Sequence, residues 1–223
     1  MFDRISHKYD LLNTIMTVGR HHIWRNKAAE LAITDLKGTA LDVASGTGDF
    51  GLRLLLNDNV VKVIALDFAK DMLAIGQFKA EKKNLKKQLI PIVADAHRLP
   101  FKTSSFICTT VGFGVRNFIE FHVALKELIR VTQPKGKIVI LEIVKPEGRI
   151  MSKIFPFYFE KITPIIGSFF AGDKEAYTYL PESVFQFMTA SELSEMMKKY
   201  GLINVAVHNF AIGTVAIIEG EKA

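Results

Sequence analysis

The chain has 223 residues, of which 49% are hydrophobic and 23% are charged, and its formal net charge is +6. This length and composition predict one sizeable globular domain and exclude a fibrous or disordered chain. The single cysteine, Cys108, excludes an internal disulfide and a metal site built from thiolates, and we expect no metal site. The first ten residues are polar, so we expect no signal peptide.

Basic residues are concentrated in the run from Lys79 to Lys87 and in the N-terminal segment around Arg20, Arg25 and Lys27. The simplest interpretation of the lysine run is a solvated helix face. The alternative is attraction to an anionic surface. A membrane fits that alternative better than nucleic acid, because no nucleic-acid-binding motif accompanies the run, and we expect no nucleic-acid partner.

Apolar residues at helical spacing from Tyr9 to Ile33 predict two N-terminal helices with a break at Gly19. Strand-like and helix-like stretches then alternate, which indicates a parallel sheet with right-handed crossovers. Gln133 to Gly136 predicts a turn leading into the fifth strand. The predicted strands are Thr39–Ala44, Val60–Leu66, Leu89–Val93, Phe106–Val111 and Lys137–Val144, and the helices between them are Phe50–Leu56, Ala69–Lys82 and Glu120–Val131.

The C-terminal part of the chain differs from this alternation. Ile150 to Phe170 is rich in aromatic residues and predicts either a core helix or an apolar cover over a greasy substrate. A helix at Ala190–Tyr200 then precedes two strands, Asn204–Asn209 and Thr214–Glu219. The short separation of these strands predicts an antiparallel hairpin. No repeat or linker interrupts the chain, so we expect a single domain.

The stretch LDVASGTGDFG, Leu41 to Gly51, predicts a strand, a glycine turn and the start of a helix. Its glycines satisfy the dinucleotide pattern G-x-G-x-x-G. However, Asp42 and Asp49 flank them, and two carboxylates beside a pyrophosphate would be unfavourable. These acids favour a cationic ligand without phosphate, such as S-adenosylmethionine, although Asp49 can also serve as the favourable charge at a helix N-terminus.

Two further acids follow the next strands of the predicted sheet. Asp67 follows the second strand, where a carboxylate can accept both ribose hydroxyls, and Asp95 follows the third. Asp67 has an alternative role as the N-cap of the helix that follows. Together the acids fit recognition of ribose and adenine, and we reject a dehydrogenase.

The chain resembles the menaquinone/ubiquinone biosynthesis C-methyltransferases (the UbiE/MenG type), within the class I S-adenosylmethionine-dependent methyltransferases. The resemblance runs almost end to end. The glycine loop alone is weakly specific, whereas FGVRN (Phe113 to Asn117) and YTYLPES (Tyr177 to Ser183) together are strongly specific. Other matching residues are Phe2, Asp3, Lys8, Tyr9, Asp10, Asn13, Asp95, Ala96, Leu99, Pro100, Phe101, Arg130, Val131, Leu141, Glu142, and Gly213 to Ala216.

This resemblance implies a class I methyltransferase Rossmann-like α/β fold: a mostly parallel seven-stranded sheet, helices on both faces and an antiparallel C-terminal hairpin. It implies methyl transfer from S-adenosylmethionine to a ring carbon of a polyprenylated quinol, either demethylmenaquinol or the 2-polyprenyl-6-methoxy-1,4-benzoquinol of ubiquinone biosynthesis. Gly112 stands where the family often has serine. The predicted cofactor-binding residues are Tyr9, Asp42, Gly46, Thr47, Gly48, Asp67, Asp95, Ala96 and Gly112.

Methylation of a ring carbon requires a quinol hydroxyl to lose its proton, and a phenolic pKa near ~10 leaves few ionised molecules at neutral pH. The site therefore needs a base and a positive charge to hold the oxyanion. We assign that charge to Arg116, and we expect Asn117 and Tyr177 to orient the ring or a water molecule. The alternative for Arg116 is a structural ion pair.

The resemblance also suggests an organisation for the single domain, residues 1–223. We expect residues 1–37 to form a helical lid and residues 150–189 to cover the acceptor. We expect a cytoplasmic protein that associates peripherally with the inner face of the membrane, and a homodimer is compatible with the sequence. Two other functions stay open: a class I methyltransferase with a different small-molecule or lipid acceptor, and a degenerate fold that only binds.

Overall fold

Seven strands form one sheet in the computed structural model, which describes Thr14, residues 17–147, Ser183, Val184 and residues 186–223. The strands are β1 (Gly38–Val43), β2 (Val60–Asp67), β3 (Leu89–Val93), β4 (Phe106–Gly112), β5 (Thr132–Ile143), β6 (Leu202–Phe210) and β7 (Val215–Lys222). The α-helices of the described residues are α1 (His21–Ala32), α2 (Asp49–Leu54), α3 (Lys70–Lys82), α4 (Phe121–Val131) and α5 (Ala190–Lys199). None of these helices is long and apolar enough to cross a bilayer.

The strand order is β3-β2-β1-β4-β5-β7-β6. Strands β1 to β5 are parallel to one another, and β7 pairs antiparallel with both β5 and β6. This confirms the predicted mostly parallel sheet with a C-terminal hairpin. The order reverses between β1 and β4, the place where open α/β sheets form a crevice at the carboxyl ends of their strands.

Helices cover both faces of the sheet, because successive strand residues point to opposite sides. Leu41 and Val43 belong to a core cluster with helices α4 and α5. Ala40, which directly precedes Leu41 and points to the other face, belongs to a second cluster with α1, α2 and α3. Each strand of the centre is therefore buried on both faces, as the continuous apolar runs indicate.

Helix α1 is part of the core. It follows the predicted break at Gly19, where φ is +71°. Its residues Trp24 and Ala28 are buried, and they pack in the cluster that covers one face of the sheet. The described part of the predicted lid over residues 1–37 thus packs against the sheet through α1, and its role as a lid stays a prediction. Residues 1–13 of that predicted lid, and most of the predicted cover at 150–189, lie outside the described residues.

The fifth strand begins at Thr132, five residues before its predicted start. The segment predicted as a turn, Gln133 to Gly136, is an irregular part of the strand in which the register with β4 shifts and Lys135 has φ +65°. A Cβ at Gly136 would lie 2.6 Å from the carbonyl oxygen of Ile107. Glycine therefore allows this segment to stay close to β4, and the chain continues as a strand.

Candidate active site

A cavity of about 410 Å³ lies at the carboxyl ends of the parallel strands. Residues that directly follow β1, β3 and β4, together with the last residue of β2, contribute to its lining: Ala44, Ala94, Phe113 and Asp67. Met72, in the first turns of α3, lines it too. The volume lies in the range usual for a small-molecule site. The cavity is therefore where the topology places a ligand.

Asp67 links the glycine loop to α3. One carboxylate oxygen accepts a hydrogen bond from the backbone N–H of Gly46 (2.8 Å), and the other accepts one from Ala69 (2.9 Å). The side chain lines the cavity although the residue is only 8% exposed. Asp67 is not the N-cap of α3, because the N-cap is Ala69 and no side chain caps this helix. The predicted contact with ribose stays compatible, since a carboxylate oxygen that accepts an N–H can also accept a ligand hydroxyl.

Asp95 and Ala96, the predicted cofactor contacts after β3, line the cavity, and His97 lines it with them. Asp95 accepts hydrogen bonds from the backbone N–H of His97 (2.9 Å) and from its Nδ1 (2.6 Å), and these bonds lower the pKa of Asp95. His97 Nε2 accepts the backbone N–H of Glu120 (3.3 Å). The imidazole therefore carries its proton on Nδ1 and fixes this part of the cavity wall.

A second, smaller cavity of about 20 Å³ lies beside the first. Asp42, Thr47 and Gly112 border it, whereas Ala44 and Gly46 border both cavities. Asp42 is fully buried and accepts hydrogen bonds from Thr110 Oγ1 (3.0 Å) and the N–H of Gly51 (2.9 Å). Burial raises the pKa of Asp42 to about 7 in spite of these bonds.

Asp49 and Thr47 are held by a lysine of α3. Lys79 Nζ lies 2.9 Å from Asp49 Oδ1 and donates to Thr47 Oγ1 at 2.8 Å. Burial acts to raise the pKa of Asp49, but the charge and hydrogen bond of Lys79 outweigh it and the pKa is lowered. Asp49 is therefore a compensated charge, so the preference for a cationic ligand does not rest on it. Lys79 belongs to the basic run, but it holds the loop and is not part of a solvated face.

The glycines of the site allow close packing. Gly48 packs against α3, where its Cβ would lie 3.4 Å from the Cα of Gly76. A Cβ at Gly112 would lie 2.8 Å from the ring of Phe50, so a serine here would need the ring to move. A Cβ at Gly114 would lie 2.6 Å from the Cβ of Ala44. Gly114 thus lets the loop after β4 meet the glycine loop.

Phe113 and Arg116 form a constrained turn after β4. Phe113 has φ +59°, a conformation uncommon for an aromatic residue, and strain of this kind is often found at functional sites. Arg116 Nη1 donates to the carbonyl of Phe113 (2.9 Å) and forms an ion pair with the fully buried Glu142. The structure thus contains the ion pair considered as the alternative for Arg116. Asn117, not Arg116, lines the larger cavity.

Two predicted site residues, Tyr9 and Tyr177, lie outside the described residues. His97 and Arg25 lie at the site but were not among the predicted site residues. His97 could have been found, because a histidine two residues after Asp95 can hydrogen-bond its carboxylate. Arg25 borders the smaller cavity from helix α1, and no local sequence signal marks it.

Comparisons with known proteins agree with this geometry. The model of the ubiE/COQ5 methyltransferase family matches residues 1–222. The ubiquinone/menaquinone biosynthesis C-methyltransferase UbiE of Rickettsia prowazekii is 38% identical over 226 residues, covering 100% of this chain and 91% of the relative. The demethylmenaquinone methyltransferase of Thermus thermophilus is 37% identical over 222 residues, covering 100% of both.

Solved structures share the fold. A SAM-dependent methyltransferase of Thermotoga maritima superposes with a TM-score of 0.69, covering 100% of this chain and 98% of that one, at 18% identity. This likeness shows the fold, including the sheet that carries the two cavities. Family membership rests instead on the match over residues 1–222. The chain belongs to the ubiE/COQ5 methyltransferase family.

Proposed function

We propose that this chain transfers the methyl group of S-adenosylmethionine to a ring carbon of a polyprenylated quinol in menaquinone or ubiquinone biosynthesis. The observation that carries the proposal is the cavity of about 410 Å³ at the carboxyl ends of β1 to β4, in a chain that matches the family over residues 1–222. The name of the Thermus relative, aligned over the whole of both chains, favours demethylmenaquinol as the acceptor.

The residues around the cavity fit this cofactor. Asp67 offers a nearly buried carboxylate to the ribose hydroxyls, and Gly46 beside it brings backbone close to the ligand without a Cβ. Asp95 and Ala96 stand where the adenine would lie, and Thr47 and Gly48 keep the loop in place through α3. Bound here, the cofactor supplies an electrophilic methyl group on a sulfonium.

The protein must make the acceptor carbon nucleophilic. A base removes a quinol hydroxyl proton, and a positive charge near the resulting oxyanion favours its formation. We propose Arg116 for that charge: it is paired with Glu142 and does not line the cavity itself, but it directly precedes Asn117, which does. Its guanidinium is oriented by Glu142 and the Phe113 carbonyl, and its buried Nε has no hydrogen-bond partner among the described residues. Asn117 on the cavity wall, and Tyr177, would orient the ring or a water molecule.

An apolar acceptor suits the mouth of the cavity. Phe68 and Ile119 line it and are 69% and 94% exposed. An acceptor with a prenyl tail would cover this apolar surface. The aromatic segment Ile150 to Phe170 would add a channel for the tail, and Tyr9 would close over the cofactor. These two roles fall on residues outside the described part.

A lipid acceptor also implies peripheral contact with the inner face of the membrane by a cytoplasmic protein. The run Lys82 to Lys87 lies at the end of α3, and because α3 starts after the carboxyl end of β2, this run is at the edge of the sheet opposite the cavity. A membrane contact through it would turn the cavity away from the lipid. We therefore place the contact at the mouth with Phe68 and Ile119. A homodimer is compatible with either position of the membrane contact.

The experiment supplies methyl-labelled S-adenosylmethionine with both quinols, demethylmenaquinol and the methoxy-benzoquinol, and identifies labelled products by mass spectrometry. We expect label in a C-methylated quinol, with demethylmenaquinol preferred. Binding of S-adenosylmethionine without label in either quinol would reject the quinol acceptor and favour another small-molecule or lipid acceptor. Absence of cofactor binding would reject a methyltransferase function.

A further inference from the structure

The guanidinium of Arg25 is buried, and no carboxylate among the described residues forms an ion pair with it. It is 5% exposed, and its guanidinium carbon lies 5.1 Å from the centre of the Phe113 ring. Its one hydrogen-bond partner in the described chain is His21, whose Nδ1 accepts from Nη1. His21 Nε2 donates in turn to Thr14 Oγ1 at 3.1 Å. Arg25 is thus held by a neutral imidazole, which leaves its positive charge unpaired.

The charge of Arg25 faces the smaller cavity. Asp42 and Asp49 also border that cavity and act on Arg25 through space, but neither forms an ion pair with it. Burying an unpaired charge is costly. A binding site for an anionic group would explain the buried, unpaired guanidinium of Arg25.

A second polar group at the same cavity also lacks a partner. The hydroxyl oxygen of Ser45 is buried, and it has no hydrogen-bond partner among the described residues. Buried polar groups are nearly always satisfied, so an unsatisfied one needs an explanation. The guanidinium of Arg25 and the hydroxyl of Ser45 can both donate hydrogen bonds into this cavity, so they suit an anionic group with two oxygen atoms.

The size and position of the cavity limit which anion can bind. A volume of about 20 Å³ admits a group of roughly the size of one water molecule or a carboxylate, and no ring. Ala44 and Gly46 border both cavities, so the two spaces adjoin at the glycine loop. A ligand whose adenosyl group fills the larger cavity can therefore extend a short chain into the smaller one.

We infer that Arg25 and Ser45 bind the methionyl carboxylate of S-adenosylmethionine. This assignment rests on the proposed function, since it takes the adenosyl group to occupy the larger cavity. Asp42 borders the same small cavity, and an ammonium group at the edge of this cavity would favour the charged form of the carboxylate. The amino-acid end of the cofactor would thus be recognised as a zwitterion.

The test compares S-adenosylmethionine with decarboxylated S-adenosylmethionine, which lacks only this carboxylate, by calorimetry on the full chain. The wild type should bind the complete cofactor about 10- to 100-fold more tightly, the value of a charge-assisted contact. Arg25→Met should lose most of this difference by weakening the complete cofactor alone. Ser45→Ala should lose a smaller part, and Lys27→Met, on the exposed side of α1, serves as the matched control and should lose none.

Equal weakening of both ligands by Arg25→Met, or equal affinity of the wild type for both, would overturn the assignment. Unchanged binding of the decarboxylated ligand shows that a variant is folded. If Arg25→Met does not fold, Arg25→Lys and Ser45→Ala replace it. For the assignment to stand, each of these variants must reduce the difference in affinity between the complete and the decarboxylated cofactor. Failure of the wild type to bind either ligand would instead reject the proposed function.

Discussion

Replacing Arg116 with methionine should damage stability as well as turnover. Glu142 is fully buried and its ion-pair partner would be lost. Breaking a buried ion pair by removing one partner costs about 3–5 kcal/mol, because the other charge remains uncompensated. In a domain of this size each kcal/mol lowers Tm by about 2–4 °C, so we expect a fall on the order of 6–20 °C. A loss of turnover in this variant alone would not identify a role in catalysis.

The double variant Arg116→Met/Glu142→Gln separates the two effects. Glutamine removes the buried charge but can still accept the backbone N–H of Ile143, which lies 2.8 Å from the carboxylate. We expect Tm to recover most of its loss. If Arg116 holds the oxyanion, turnover measured by mass spectrometry at saturating cofactor should stay about 10²–10³-fold below the wild type, the usual cost of losing such a donor.

Three measurements make this test complete: melting temperature, cofactor affinity by calorimetry and turnover of the quinol. Cofactor affinity should stay near the wild-type value in the double variant, because Arg116 does not line the larger cavity. Glu142→Gln alone serves as the control for the loss of the carboxylate. Turnover within a few-fold of the wild type in the double variant would refute the assigned role and leave Arg116 as a structural residue.

Two further predictions concern stability around the glycine loop. Burial raises the pKa of Asp42 to about 7, above about 4 in an unfolded chain, so the folded state binds the extra proton and the free energy of unfolding falls as pH rises through this window. In urea unfolding, the free energy of unfolding of Asp42→Asn should therefore rise relative to that of the wild type from about pH 4 to about pH 8. The contribution of His21 is the same in both proteins and cancels from this comparison. If the difference between the two proteins does not change with pH, Asp42 is already ionised at low pH. Gly114→Ala should lose about 1–3 kcal/mol of stability and bind cofactor more weakly, because the new Cβ would lie 2.6 Å from that of Ala44. Adding Ala44→Gly should restore both in thermal melts and calorimetry, and no rescue would show that this contact is not the cause.

The sequence predicted the elements of the sheet because their signals are local. Leu89–Val93 was predicted with the bounds found in β3, and the other strands and helices of the described chain differ mostly by one or two residues at their ends. The start of β5 was missed, since a turn-like composition at Gln133 to Gly136 does not reveal that β4 keeps the segment paired. The burial of α1 was missed as well, because helical periodicity shows that a face is apolar but not what covers it.

The alternation of strands and helices was enough to predict where the larger cavity lies and which carboxylates meet there. Parallel strands place their carboxyl ends at one edge, so Asp67 and Asp95 had to converge once the alternation was recognised. Which charges are available to a ligand depends instead on how side chains distant in sequence pair in the folded chain. Lys79 compensates Asp49 across 30 residues and Glu142 pairs with Arg116 across 26, whereas Arg25 is buried without a carboxylate partner in the described chain. Pairing of side chains at such separations depends on how helices pack on the sheet, and no local pattern encodes it.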